Sequence, residues 1–124
     1  MTIRVLAIDD SRTMRRLVSQ AMEAAGFTCI TADDGVEGIA RFTEIVPDVV
    51  ITDINMPRLD GFGVIDAIRG GSRNRTVPIL VLTTENAAEL KERARNAGAT
   101  GWIVKPIDDS AIVAVVRRVT GAQG

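Results

Sequence analysis

The sequence predicts an α/β domain, one open parallel sheet with helices on both faces. Three observations predict it. Five short apolar runs, IRVLAI, FTCIT, DVVIT, VPILVL and WIV, are spaced along the chain. Stretches of helical period lie between and after them, so strand and helix alternate five times. The first, third and fourth runs are nearly continuous Val, Ile and Leu, the pattern of strands buried on both faces. At 124 residues, with 46% hydrophobic and 25% charged residues, the composition is that of one ordinary soluble domain that needs no disulfide or metal staple.

Taken in order, IRVLAI is the first strand and runs directly into Asp9 and Asp10. Met14, Leu17, Val18, Ala21, Met22 and Ala25 follow helical spacing, with Ser11 as N-cap and Gly26 as the stop. FTCIT is the second strand. Its Cys29 reads as a small buried hydrophobe, and as the single cysteine it cannot form an internal disulfide. Val36, Ile39 and Phe42 mark a second helix that ends before Pro47. DVVIT delivers Asp53. Gly61, Val64, Ile65 and Ile68 mark a third helix, stopped by Gly70 and Gly71, and GGSRNR is a loop. VPILVL ends at Thr83 and Thr84. Leu90, Ala94 and Ala97 mark a fourth helix closed by Gly98, and WIV leads to Lys105. Ile112, Val115, Val116 and Val119 mark the last helix, and Val113 beside that stripe predicts a hydrophobic edge. No linker or repeat interrupts residues 1–124, and only GAQG follows the last helix, so a single domain is expected.

Composition narrows the function. Net charge is −1, and the arginine groups (Arg12, Arg15, Arg16; Arg73, Arg75; Arg117, Arg118) have no interleaved aromatics, which reads as solvated faces rather than a nucleic-acid surface. The opening MTIRV lacks the pattern of a signal peptide, and no run reaches the ~20 apolar residues of a membrane span. A cytoplasmic location without membrane partners is expected. The chain has no histidine and one cysteine, which excludes a structural zinc site. Any chemistry falls to carboxylates, hydroxyls, lysine and backbone.

In open parallel sheets, ligands bind beyond the carboxyl ends of the strands. Asp9 and Asp10 follow the first strand, Asp53 the third, Thr83 the fourth and Lys105 the fifth. Read singly, each has a plain alternative: the Asp9–Asp10 pair as helix caps, Asp53 as a turn former, Thr83 as a locally bonded hydroxyl, Lys105 as a solvated charge. Read together, they form one site. Three carboxylates at one point call for a cation, and Mg2+ suits oxygen ligands and phosphate. Lysine and threonine suit phosphate oxygens, and a carboxylate can itself be the nucleophile, giving an aspartyl phosphate.

The motifs AIDDSRTMR, ITDINMPRLDGF, LVLTTE and GWIVKPI together resemble the receiver domain of two-component response regulators, in order and spacing, over essentially the whole chain. That resemblance implies a flavodoxin-like, doubly wound sheet of order 2-1-3-4-5 with five helices. It implies Asp53 as phosphoacceptor, Asp10 as direct metal ligand, Asp9 as a ligand acting partly through water, and the Asn55 backbone carbonyl as a further ligand. Thr83 and Lys105 would bind the phosphoryl group, and Pro106 matches a proline preceded by a cis peptide. Trp102 stands at the switch aromatic, usually tyrosine or phenylalanine. Asn55 and Glu85 occupy positions that tune the lifetime of the phosphate. The pair resembles that of stand-alone chemotaxis regulators, which implies a CheA-like histidine kinase as donor, a protein target such as the flagellar motor switch or a kinase-sink role, and a monomer. Catalysis would be limited to self-phosphorylation and autodephosphorylation. Other readings are a phosphorelay carrier or regulator of another output and, more distantly, a Mg2+-dependent phosphatase. A flavin carrier would need a glycine-rich phosphate loop that DDSRTM lacks.

Overall fold

Parallel pairing of all five strands sets the architecture in the computed structural model, which describes residues 2–121. The expectations resting on Met1 and on Ala122, Gln123 and Gly124 lie outside those residues. The strands are β1 (Arg4–Ile8), β2 (Thr28–Ala32), β3 (Val49–Thr52), β4 (Ile79–Thr83) and β5 (Gly101–Val104), in the order β2-β1-β3-β4-β5. The helices are α1 (Arg12–Ala24), α2 (Gly35–Ile45), α3 (Gly61–Arg69), α4 (Ala88–Ala97) and α5 (Asp109–Thr120). Fold class and strand order are those expected.

Alternation along the central strands supplies two cores. Val5, Ala7, Val49, Ile51, Leu80 and Leu82 face α1 and α5, while Leu6, Ile8, Val50, Ile79 and Val81 face α2, α3 and α4. Covered on both sides, these strands can be apolar at every position. Four helices begin on a side-chain cap: Ser11 Oγ accepts from Met14 N–H, Asp34 from Glu37, Asp60 from Gly63 and Asp108 from Ala111. Helix α4 begins at Ala87 with no side-chain cap, and Ala94 is its one buried residue.

Three expectations change. Leu17 and Val36 belong to predicted apolar stripes, yet are 46% and 45% exposed. In α2 the buried positions at that end are Gly35 and Gly38, because the helix lies so close to the sheet that a Cβ on Gly38 would sit 2.4 Å from Ile8 Cδ1. Val113 is buried, not an exposed edge, because α5 packs against α1 as well as the sheet and so buries a wider face. Cys29 is only half-buried, since β2 is an edge strand; even so, desolvation pushes its thiol up to about 11 and leaves it unreactive.

The chain leaves β1 for β2 on one side and returns to β3 on the other, so the strand order reverses between β1 and β3. A crevice opens at their carboxyl ends. Ile8 pairs with Thr52 there, and Asp53 N–H donates to the Ile8 carbonyl at 2.9 Å, which brings Asp9 and Asp53 level with one another. The loop after β3 closes tightly: Gly61 N–H donates to Ile54 O at 2.9 Å, and a Cβ on Gly61 would lie 2.3 Å from Asp53 O. Gly61→Ala should therefore cost about 1–3 kcal/mol, the range for overpacking a tight site. A lower urea midpoint at unchanged slope would show it; an unchanged midpoint would mean the loop gives way freely.

Candidate functional site

The two adjacent aspartates part company at the end of β1. Asp9 turns inward, 6% exposed, while Asp10 is exposed at the crevice mouth. Asp53, at the end of β3, is 9% exposed. One oxygen from each of the three carboxylates lies within 4.8 Å of the others. Lys105, just past β5, reaches between two of them: its Nζ donates to Asp9 Oδ2 at 2.9 Å and to Asp53 Oδ2 at 3.0 Å. Asp9 Oδ1 accepts from Ser11 N–H at 2.8 Å, and Asp53 Oδ1 from Ile54 N–H at 2.6 Å. The helix-cap alternative is thus only indirectly met. Ser11 is the cap, and Asp9 holds Ser11.

Three carboxylates and one ammonium sum to −2 when all are ionised (−3 + 1). Every donor in the cluster is a carboxylate oxygen, and a hard divalent ion such as Mg2+ suits an all-oxygen set and would offset its charge.

Lys105 titrates against opposing influences. Burial disfavours its charged form, but the hydrogen bonds and charges of Asp9 and Asp53 outweigh that and raise it above the ordinary lysine value. The Lys105–Pro106 peptide is cis, as the resemblance implied, and Lys105 N–H donates to Thr83 O at 2.8 Å.

A second group assembles around Glu85. Thr83 is wholly buried, and its Oγ1 accepts from Glu85 N–H at 3.3 Å. Glu85 Oε2 accepts from Asn55 Nδ2 at 3.2 Å, and the Glu85 carbonyl accepts from the half-buried Trp102 Nε1 at 3.1 Å. Asn55, Thr83 and Trp102 therefore meet through one residue. Thr84, beside Thr83 in sequence, is exposed and takes no part in these bonds. Two contacts went unread in the sequence. Arg15 Nη1 donates to the Asp9 carbonyl at 2.8 Å, and Arg58 Nε pairs with Asp34 Oδ2 at 2.6 Å. An arginine in a helix or turn carries no local signal of a partner that the fold brings to it.

Residues 5–117 match the family described as the response regulator receiver domain. The chain belongs to that family. A probable chemotaxis protein CheY of Rhizobium etli is 36% identical to this receiver domain over 97% of the chain and 94% of its own length. The solved structure of the chemotaxis protein CheY4 of Vibrio cholerae is 40% identical, with a TM-score of 0.91 over 96% of this chain and 99% of that one. A sensor histidine kinase, CheAY of Helicobacter pylori, is 30% identical over 97% of this chain, which spans 15% of that protein. The chain spans about half the length of several further curated relatives, transcriptional regulators among them. Among the described residues, no helix is long and apolar enough to cross a membrane.

In this receiver domain the paired Lys105 ammonium favours the folded state, since its folded-state value is raised above the ordinary 10.5. That contribution is complete well below the ordinary value of 10.5, taken for the unfolded chain, and is lost as pH rises through the raised folded value. Urea unfolding from pH 8 to 11.5 should show an alkaline decline that is shallower in Lys105→Met; parallel declines would refute it.

Proposed function

We propose that this receiver domain is the phosphorylated element of a chemotaxis-type two-component pathway, with Asp53 taking a phosphoryl group from a phosphohistidine of a CheA-like kinase. The observation that carries the reading is the Lys105 ammonium bridging Asp9 and Asp53 beside Asp10. An Asp53 carboxylate oxygen attacks phosphorus, the donor's P–N bond breaks, and the bonding pair leaves on the imidazole. Lys105, already on Asp53 Oδ2, follows the negative charge onto the phosphoryl oxygens. Asp9, Asp10, Asp53 and the Asn55 carbonyl would hold Mg2+, which when bound would neutralise charge on the transferring phosphoryl group. Water later hydrolyses the acyl phosphate, and Asn55 and Glu85, bonded to each other, stand where they can tune that rate.

Signal output follows from the Glu85 junction. Drawn toward the phosphoryl group, Thr83 releases Glu85 N–H, and the shift passes through the Glu85 carbonyl to Trp102. This biases the face of α4, β5 and α5, where Lys91, Arg95 and Trp102 help line a groove of about 370 Å³. The reading places the protein in the cytoplasm as a monomer that binds no nucleic acid. Its target is a protein, such as the flagellar motor switch, or it drains phosphate from the kinase. The CheY relatives favour chemotaxis over a phosphorelay or another output.

Intact-mass spectrometry after incubation with acetyl phosphate should show one labile phosphoryl group that requires Mg2+ and is absent in Asp53→Asn. No adduct under rapid quench overturns the reading, and repeated turnover of phosphate esters would make the protein a phosphatase instead. Trp102 is the one tryptophan. Its fluorescence should change on phosphorylation in the native chain and respond far less in Thr83→Ala; equal responses would remove Thr83 from the relay.

A further inference from the structure

The loop after Asp53, residues 54–60, carries an arginine where backbone geometry argues against one. Arg58 has φ of +67°, the left-handed region that glycine and asparagine occupy most readily and that a long Cβ-bearing side chain avoids. Such a residue persists where its surroundings hold it. Here the holder is Asp34. Its Oδ1 caps α2 through Glu37 N–H at 2.9 Å, and its Oδ2 accepts from Arg58 Nε at 2.6 Å. The Asp34 side chain is 8% exposed, and Asp33 and Glu37 add to the negative field on the arginine. The next residues complete the attachment. Gly35 N–H donates to Leu59 O at 3.1 Å, and a Cβ on Gly35 would lie 2.2 Å from that oxygen, so the loop is seated directly on the first turn of α2.

The loop is therefore fastened at two points. At its base, Gly61 N–H holds Ile54 O beside Asp53. At its tip, Arg58 and Leu59 hold α2. Asn55 lies between those fastenings, on backbone that neither a helix nor a strand supports.

We propose that Arg58 is a positioning residue for the metal and phosphoacceptor site, acting through its ion pair with Asp34 to hold the loop so that Asn55 stays in place for the cation. The inference rests on the function proposed above. It assigns an otherwise unexplained arginine to the chemistry although its charge is of the wrong sign to attract a metal ion.

That sign makes the test sharp. If Arg58 and Asp34 acted on Mg2+ only through their charges, removing the arginine would tighten the ion and removing the aspartate would loosen it. Positioning predicts that both losses weaken it. Magnesium affinity is measured by calorimetry on the full chain for the native protein, Arg58→Gly, Arg58→Asn, Asp34→Asn and the Arg58→Asn/Asp34→Asn double variant. Gly and Asn both tolerate the left-handed backbone, so neither adds strain, and Asn adds less freedom than Gly. Asn at 34 still caps α2. We expect each single variant to bind Mg2+ roughly tenfold more weakly, the lower end for outer partners of a metal site, with the double variant no weaker than either. In the metal-free protein, hydrogen exchange at the Gly35 amide should accelerate in both Arg58 variants.

Unchanged or tighter magnesium binding in Arg58→Asn overturns the proposal, as does a lowered urea midpoint with native affinity, the mark of a merely structural contact. A native chain that binds no Mg2+ overturns this inference and the proposed function together. Native binding with unaffected variants overturns this inference alone.

Discussion

Repulsion among Asp9, Asp10 and Asp53 is the constraint around which the molecule is arranged. Two of these carboxylates are nearly buried, and burying ionised groups without partners is among the costliest things a fold can do. The structure meets that cost with named donors rather than dilution in solvent. Lys105 supplies the positive charge, while the amides of Ser11 and Ile54 take the remaining inner oxygens. Asp10 alone is left to water. The result is a cluster that keeps a net negative charge, which a divalent cation would offset.

Everything that positions this cluster comes from the sheet. Parallel pairing sends all the carboxyl ends to one edge, and reversal of strand order between β1 and β3 opens the crevice there. Strands apolar on both faces cannot slide in register without burying the charges that follow them. Ile8 opposite Thr52 is thus tied to the site as much as to the core. Glycines at 35, 38 and 61 let α2 and the loop after β3 come close enough to frame the crevice.

The same packing leaves one helix loosely held. Helix α4 has no side-chain cap and buries only Ala94, and a cation–π contact from Arg93 to Phe62 adds a link to α3. A helix anchored so lightly belongs to the low-stability end of the structure. Support is thus close beneath Asp53 and sparse beneath α4.

Much of this was legible in the sequence because it is local. Unbroken Val and Ile runs report burial on both faces, Ser11 and Gly26 bracket α1, and the position of each charge just after a strand places it at one edge. The strand-end positions of Asp9, Asp10, Asp53, Thr83 and Lys105 are therefore readable from the sequence alone. Tertiary structure alone decided the rest. Which of two adjacent aspartates turns inward depends on where Lys105 arrives from another strand. The burial of Val113 depends on α1 lying against α5, and the exposure of Val36 on glycines that draw α2 onto Ile8. The joining of Asn55, Thr83 and Trp102 through Glu85, and of Arg58 to Asp34, depends on the path of separate loops. Periodicity and strand-end charge are written in neighbouring residues, whereas the partner of a side chain is set by where the rest of the chain has already folded.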